Sequence, residues 1–194
     1  MNSEQYYQTH AQSFFDSTYH VDMSSLHALF YRYLPVGARV LDAGCGSGRD
    51  SKTFAEKGYQ VEAFDASPTL AKLASKYAGI SVQTLRFEEF VSEPHYDGIW
   101  CCASLLHLPY SQLSDTLRRL SNACKPQGII YISFKYGDQE RQAGERHFTD
   151  LNEVRLKTLI HSVSELRLEK CWITADQRPD RDERWLNALL LKES

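Results

Sequence analysis

"VLDAGCGSGRD", residues 40–50, decides how the chain reads. A short apolar run stops at Asp42, and glycines follow at positions 44, 46 and 48. A strand that ends in such a turn and leads into a helix is the opening unit of an α/β sheet. The glycines let the main chain take positive φ and approach a ligand without a Cβ clash. Beyond the turn a helix runs to about Lys57, where Gly58 stops it. "YQVEAFD" (59–65), "ISVQTL" (80–85), "YDGIWCC" (96–102) and "GIIYISF" (128–134) read as four further strands.

Between them the helix signals recur. Ser67 and Pro68 form an N-cap and first turn closed by Gly79, and Pro109 opens a helix with Leu113, Leu117 and Leu120 on one face. Thr149 is the expected cap of a helix carrying Leu156, Leu159 and Ile160. Upstream, residues 4–16 and 23–33 read as two helices, the second closed by Pro35. Downstream, "ELRLEKCWIT" (165–174) and "RWLNALLLK" (184–192) are strands with no helix between them, so they are antiparallel neighbours. The expected fold is a Rossmann-like α/β three-layer sandwich. Its sheet has seven mostly parallel strands and ends in an antiparallel C-terminal hairpin.

The bulk numbers agree with a soluble globular protein. The 194 residues suit one domain, 42% of them are hydrophobic and 24% charged. A net charge of −3 argues against a nucleic-acid coat. The start, "MNSEQYYQTHAQSFF", has no signal-peptide pattern, no apolar run is long enough to cross a bilayer, and a cytoplasmic setting follows. The five cysteines, 45, 101, 102, 124 and 171, make a poor disulfide framework. No metal-ligand spacing is present, so no metal is expected. The adjacent Cys101 and Cys102 read as buried small hydrophobes.

Three ligands compete for the glycine turn. A Walker phosphate loop needs a lysine, and Arg49 then Asp50 stand after Gly48. A dinucleotide fingerprint needs its third glycine where Arg49 stands, and Asp42 would repel a pyrophosphate. A cationic adenosine cofactor without phosphate, S-adenosylmethionine, suits both departures. Asp42 then faces the cationic methionine part, and Asp65, at the end of the second strand, accepts from both ribose hydroxyls.

"VLDAGCGSG", "FDAS", "YDGIWCCASLLHL" and "CKPQGIIYISF" together resemble the class I S-adenosylmethionine-dependent methyltransferases over residues 37–135. The resemblance is nearest to small single-domain members, among them a tellurite-resistance-like group. It implies that Gly44, Cys45 and Gly46 contact the methionine moiety, that Asp42 fixes the turn and the cofactor amine, and that Asp65 binds the ribose. It places Ala66 beside the adenine and Cys101, Cys102 and Ala103 along the sulfonium, while Phe87 in "LRFEEF" is either an adenine contact or core. Arg49 and Asp50 fit a surface ion pair or a role beside the cofactor. A single methyltransferase domain over residues 1–194 is expected, with residues 1–34 as a helical cap over the site.

On the acceptor side, Tyr6 and Tyr7 lie on the cap helix, as lid residues or as packed tyrosines. His107 follows the fourth strand as a base or a structural histidine. The charged segment "FKYGDQERQAGERHFTD", 134–150, reads as a long loop at the site end of the sheet. Its Lys135, Tyr136, Arg141 and Arg146 are the candidate substrate contacts. "DQRPDRDERW" adds Arg178, Arg181 and Arg184. A small-molecule acceptor is favoured. A tRNA or other nucleic-acid methyltransferase is the alternative, weakened because "CCAS" stands where amino-base methyltransferases carry NPPY-type tetrapeptides. A non-catalytic S-adenosylmethionine-binding partner subunit is the third reading. No membrane partner is expected, and oligomeric state is not legible.

Overall fold

The computed structural model describes residues 3–178 and 181–194. Seven strands form one sheet: β1 (Arg39–Ala43), β2 (Gln60–Asp65), β3 (Val82–Thr84), β4 (Tyr96–Cys101), β5 (Cys124–Lys135), β8 (Leu166–Ala175) and β9 (Arg184–Lys192). Their order is β3-β2-β1-β4-β5-β9-β8. Pairing is parallel from β3 to β5 and antiparallel at β5/β9 and β9/β8. This is the Rossmann-like sandwich that the strand–helix alternation anticipates.

Side-chain alternation explains why both faces are covered. Leu41, Ile99, Ile130 and Ile132 point into one core with Leu113, Leu117 and Leu120 of α6 (Tyr110–Ala123) and Leu156 of α7 (Glu153–His161). Val40, Trp100, Ile129 and Tyr131 point into the other, with Phe30 of α3 (Ser24–Tyr31) and Phe54 of α4 (Arg49–Glu56). Trp100 and Tyr131, neighbours in register, stack with ring centroids 3.8 Å apart. Among the described residues no helix is long and apolar enough to cross a membrane.

The glycine turn leads into α4, and Gly48 (φ 74°) is its N-cap. A Cβ on Gly48 would lie 2.9 Å from Ala74 Cβ, in α5 (Pro68–Ala78). The positive φ alone costs a substituted residue about 1–2 kcal/mol, and the clash forces α4 from α5. Gly48→Ala is therefore expected to lower the unfolding free energy by roughly 2–3 kcal/mol in chemical denaturation.

Three expectations are corrected. The helix over 4–16 is two helices, α1 (Ser3–Thr9) and α2 (Ala11–Thr18), with His10 between them at φ −107° and ψ 20°. Thr149 does not cap α7; Asn152 does, its side chain accepting from the Arg155 N–H, while Thr149 ends a strand. The charged segment is not a loop. It forms a separate hairpin of β6 (Glu140–Ala143) and β7 (Arg146–Thr149), with Gly144 at φ 61° in a two-residue turn. A glycine first in a two-residue turn matches strand twist, and that signal, "AGER", was hidden among the charges.

Candidate active site

Strand order reverses at β1, whose neighbours are β2 on one side and β4 on the other. Ligands of such sheets sit beyond the carboxyl ends of the strands at that point. Two cavities open there. The larger, of about 390 Å³, reaches Asp65, Ala66, Leu85 and Phe87; the other, of about 190 Å³, reaches Asp42, Arg49, Lys135, Arg146, Phe148 and Trp185. Tyr7, Phe14, Gly44, Gly46, Ala103 and His107 border both, so the two are halves of one cleft.

The turn is shaped for close approach. Gly44 and Gly46 have φ of 73° and 55°. A Cβ on Gly44 would meet Ser104 Cβ at 2.5 Å, and one on Gly46 would meet Phe14 at 3.0 Å. The N–H groups of Gly44 and Cys45 both donate to the Phe64 carbonyl, which binds the turn to β2. Asp65 then accepts from the Gly46 N–H (2.9 Å) and the Ser67 N–H (2.9 Å). Burial raises the Asp65 pKa, and these two donors oppose the rise.

Asp50 is the hub of a buried network. It accepts from Arg49 Nε and Nη2 (2.9 and 2.8 Å), His27 Nε2 (2.9 Å) and Trp100 Nε1 (2.9 Å). Against the upward push of burial, the Arg49 charge and these bonds hold the Asp50 carboxyl well below the carboxylate range. Asp42 is different: it has no cationic partner bound to it among the described residues and accepts from Ser51, whose Oγ lies 2.6 Å away. Burial, then the charge of Asp50, push it up to about 8. Arg49 and Asp50 are thus no surface pair, because α3 brings His27 down onto them and β4 brings Trp100 up. No local signal in the sequence marks His27 or Trp100 for this role.

At the junction of the two cavities, Tyr7 Oη lies 2.8 Å from His107 Nε2. His107 Nδ1 lies 2.9 Å from the His147 carbonyl, which can only accept. Nδ1 therefore carries the proton, and Nε2 accepts from the Tyr7 hydroxyl. Burial lowers the His107 pKa to about 4, so the ring is neutral at physiological pH. Burial also raises the Tyr7 pKa, with Arg146 opposing. Helix α1 is tied across the cleft by other contacts. Gln8 accepts from Ser67 Oγ and the Thr69 N–H, Ser3 Oγ accepts from the His147 N–H, and Glu4 pairs with Arg86. Beside these, Ser104 Oγ is buried without a partner on the cleft wall. Ala103 is held at φ 51°, its N–H donating to Ser133 Oγ.

The other anticipated residues divide. Cys45, Cys102 and Ala103 line the cleft, as do Ala66 and Phe87, the last packed edge-on against Phe64. Cys101 is fully buried in the α6 core and borders neither cavity. Arg141 pairs with Asp150 and Tyr136 donates to Glu153, both away from the cavity walls. Tyr6 stands behind the wall, stacked on His10 and under the Arg146 guanidinium. Of the described charged residues in 176–185, Asp176, Arg178, Arg181 and Glu183 line the smaller cavity, and Arg178 is bound to Asp176. Arg184 lies instead over the Tyr136 ring.

Residues 15–176 match a family model described as a methyltransferase domain. The ubiquinone biosynthesis O-methyltransferase of Xanthomonas axonopodis pv. citri (strain 306) is 35% identical over 109 residues, covering 53% of this chain and 45% of that protein. The chain thus covers less than half the length of that curated relative. Two solved structures share the fold. The 1,6-didemethyltoxoflavin-N1-methyltransferase of Burkholderia thailandensis, with bound 1,6-didemethyltoxoflavin and S-adenosylhomocysteine, superposes with a TM-score of 0.73 at 23% identity, over 100% of this chain and 92% of that one. The magnesium protoporphyrin IX methyltransferase of Synechocystis PCC 6803, with bound S-adenosylmethionine, gives 0.68 at 18%, over 100% and 85%.

Proposed function

Since this chain belongs to the methyltransferase-domain family, we propose that it transfers a methyl group from S-adenosylmethionine to a small-molecule acceptor held in the smaller cavity. The observation that carries this reading is the pair Tyr7–His107, which stands where the larger, adenosine-sized cavity meets the smaller. The cleft suits the cofactor on its own chemistry. The backbone of its glycine turn borders both cavities, and its acids divide between them, Asp65 on the larger and Asp42 on the smaller. Asp65 would hold the ribose hydroxyls, with Leu85 and Phe87 beside the adenine. The turn backbone, Asp42 and Arg49 would hold the methionine part, Arg49 keeping Nη1 outside its bonds to Asp50.

When bound, S-adenosylmethionine supplies a methyl carbon whose bond to sulfur breaks as the acceptor's heteroatom–carbon bond forms, the electron pair leaving on a neutral thioether. The protein's own work is alignment and proton removal. Tyr7 and Phe14 close the cleft from the helical cap formed by residues 3–34. The acceptor's proton passes to the Tyr7 oxygen as the Tyr7 proton passes to His107 Nε2. A weak base is enough, because the acceptor's proton becomes acidic as its heteroatom bonds to carbon.

Incubation with methyl-labelled S-adenosylmethionine and a cell extract tests the reading. Label is expected in metabolites that pass an ultrafilter. Label confined to RNA or protein would reject the small-molecule acceptor, and no S-adenosylmethionine binding in calorimetry would reject the whole reading.

Asp42 adds a pH signature. Its carboxyl, raised to about 8, is mostly protonated at pH 7, and a cationic ligand favours the ionised form. Binding therefore releases up to about one proton per site, and affinity rises with pH toward 8. Calorimetry in buffers of different ionisation enthalpy is expected to detect that proton, and Asp42→Asn to abolish it.

A further inference from the structure

The Phe148 ring is surrounded by three cations. Lys135 Nζ lies 4.7 Å from its centroid, Arg141 Cζ 4.9 Å and Arg146 Cζ 5.1 Å. Two of the three are neutralised, Lys135 by Glu183 and Arg141 by Asp150. Arg146 has no carboxylate within ion-pair distance among the described residues, and its Nε is buried without a hydrogen-bond partner. A desolvated donor on a charged group is costly to leave unfilled. The Arg146 guanidinium is nonetheless held in place, its Cζ 4.6 Å from the Tyr6 ring centroid and its side chain hydrogen-bonded to Tyr7. Such a pre-oriented fork matches a carboxylate.

The surroundings say what carries that carboxylate. Arg146 lines the smaller cavity, whose partly charged lining includes an apolar, partly aromatic group of Phe14, Leu26, Leu106, Phe148 and Trp185. The nearby acids Asp50 and Asp176 are bound to Arg49 and Arg178, so neither reaches Arg146 as a counter-ion. Arg146 also adjoins Tyr7, whose acidity it increases. We propose that the acceptor is a small aromatic or similarly planar carboxylic acid. Its carboxylate pairs with Arg146, its ring lies against that apolar, partly aromatic group, and its nucleophilic O–H or N–H faces Tyr7. This rests on the methyl-transfer reading above and adds the class of acceptor to it.

The test measures binding, not turnover. Protein saturated with S-adenosylhomocysteine is titrated with 2-, 3- and 4-hydroxybenzoate and with the matching hydroxybenzamides. At least one hydroxybenzoate is expected to bind about tenfold or more tightly than its amide. Arg146→Met should bring that ratio to about one, and Arg146→Lys, which keeps the charge but loses the fork, to an intermediate value. If the Met variant does not fold by thermal melting, the reduced ratio in the Lys variant decides. The proposal is overturned if no hydroxybenzoate is preferred over its amide, or if the preference survives both substitutions. Heats of S-adenosylhomocysteine binding on the same samples separate the two readings. Normal cofactor binding without carboxylate preference removes only the acceptor class, and absent cofactor binding removes both.

Discussion

Asp65→Ala is expected to weaken S-adenosylmethionine binding by about a hundredfold or more, equivalent to roughly 2.7 kcal/mol or above. Two losses add. The carboxylate holds the turn by accepting from Gly46 and Ser67, and its removal leaves two buried N–H groups unsatisfied, at about 1–3 kcal/mol each. In the proposed function it also accepts from the two ribose hydroxyls, bonds to a charged group worth about 1.5–3 kcal/mol. Asp65→Asn keeps one acceptor oxygen and is expected to fall between, at about tenfold. Calorimetry reads both, and a thermal melt confirms that the variants are folded. Unchanged affinity in folded Asp65→Ala would remove the ribose assignment.

His107→Gln is expected to lower the methyl-transfer rate by about a hundredfold or more, the usual range for a lost general base. Glutamine still accepts from the Tyr7 hydroxyl but cannot take its proton, so kcat falls while KM holds. Tyr7→Phe cuts the same relay, so the double variant is expected to be little worse than either single one. The pH profile distinguishes this from a structural role. The folded His107 pKa is lowered to about 4, so the ring is unprotonated and competent above pH 4. The acid limb of kcat should therefore fall near pH 4 and not near the ordinary histidine value of about 6.5. Stability follows the same linkage. The unfolded chain takes the proton first, so His107's contribution is present above about pH 6.5 and declines as pH falls toward 4. An acid limb near 6.5, or full activity in His107→Gln, would remove His107 from the chemistry.

Both tested groups lie at ends of strands or just beyond them, and that is why they were legible. Asp65 ends the apolar part of β2 and Asp42 stops the apolar run of β1, and a glycine-rich turn follows the latter. The hairpin at β6 and β7 is hidden in the sequence because polar and charged residues dominate both strands, and only Ala143 and Phe148 are apolar on the face that packs on the core. Arg141 and Arg146 are indistinguishable in sequence, five residues apart in one stretch of mixed charge. The fold gave Asp150 to the first and left the second beside the cavity.

By itself, the sequence determined the order of strands and helices, the glycine turn with its two acids, and the class of ligand that turn accepts. These are local properties: side-chain period, positive φ at glycine, and a charge placed at a strand end. Only the tertiary structure decided that Asp50 is held down and Asp42 pushed up in pKa, that Tyr7 donates to a histidine 100 residues away, and that Arg146 has no carboxylate within ion-pair distance among the described residues. Those outcomes depend on which helix covers which strand end and excludes water from it. Charge pairing and proton position follow from that burial, and no window of sequence contains it.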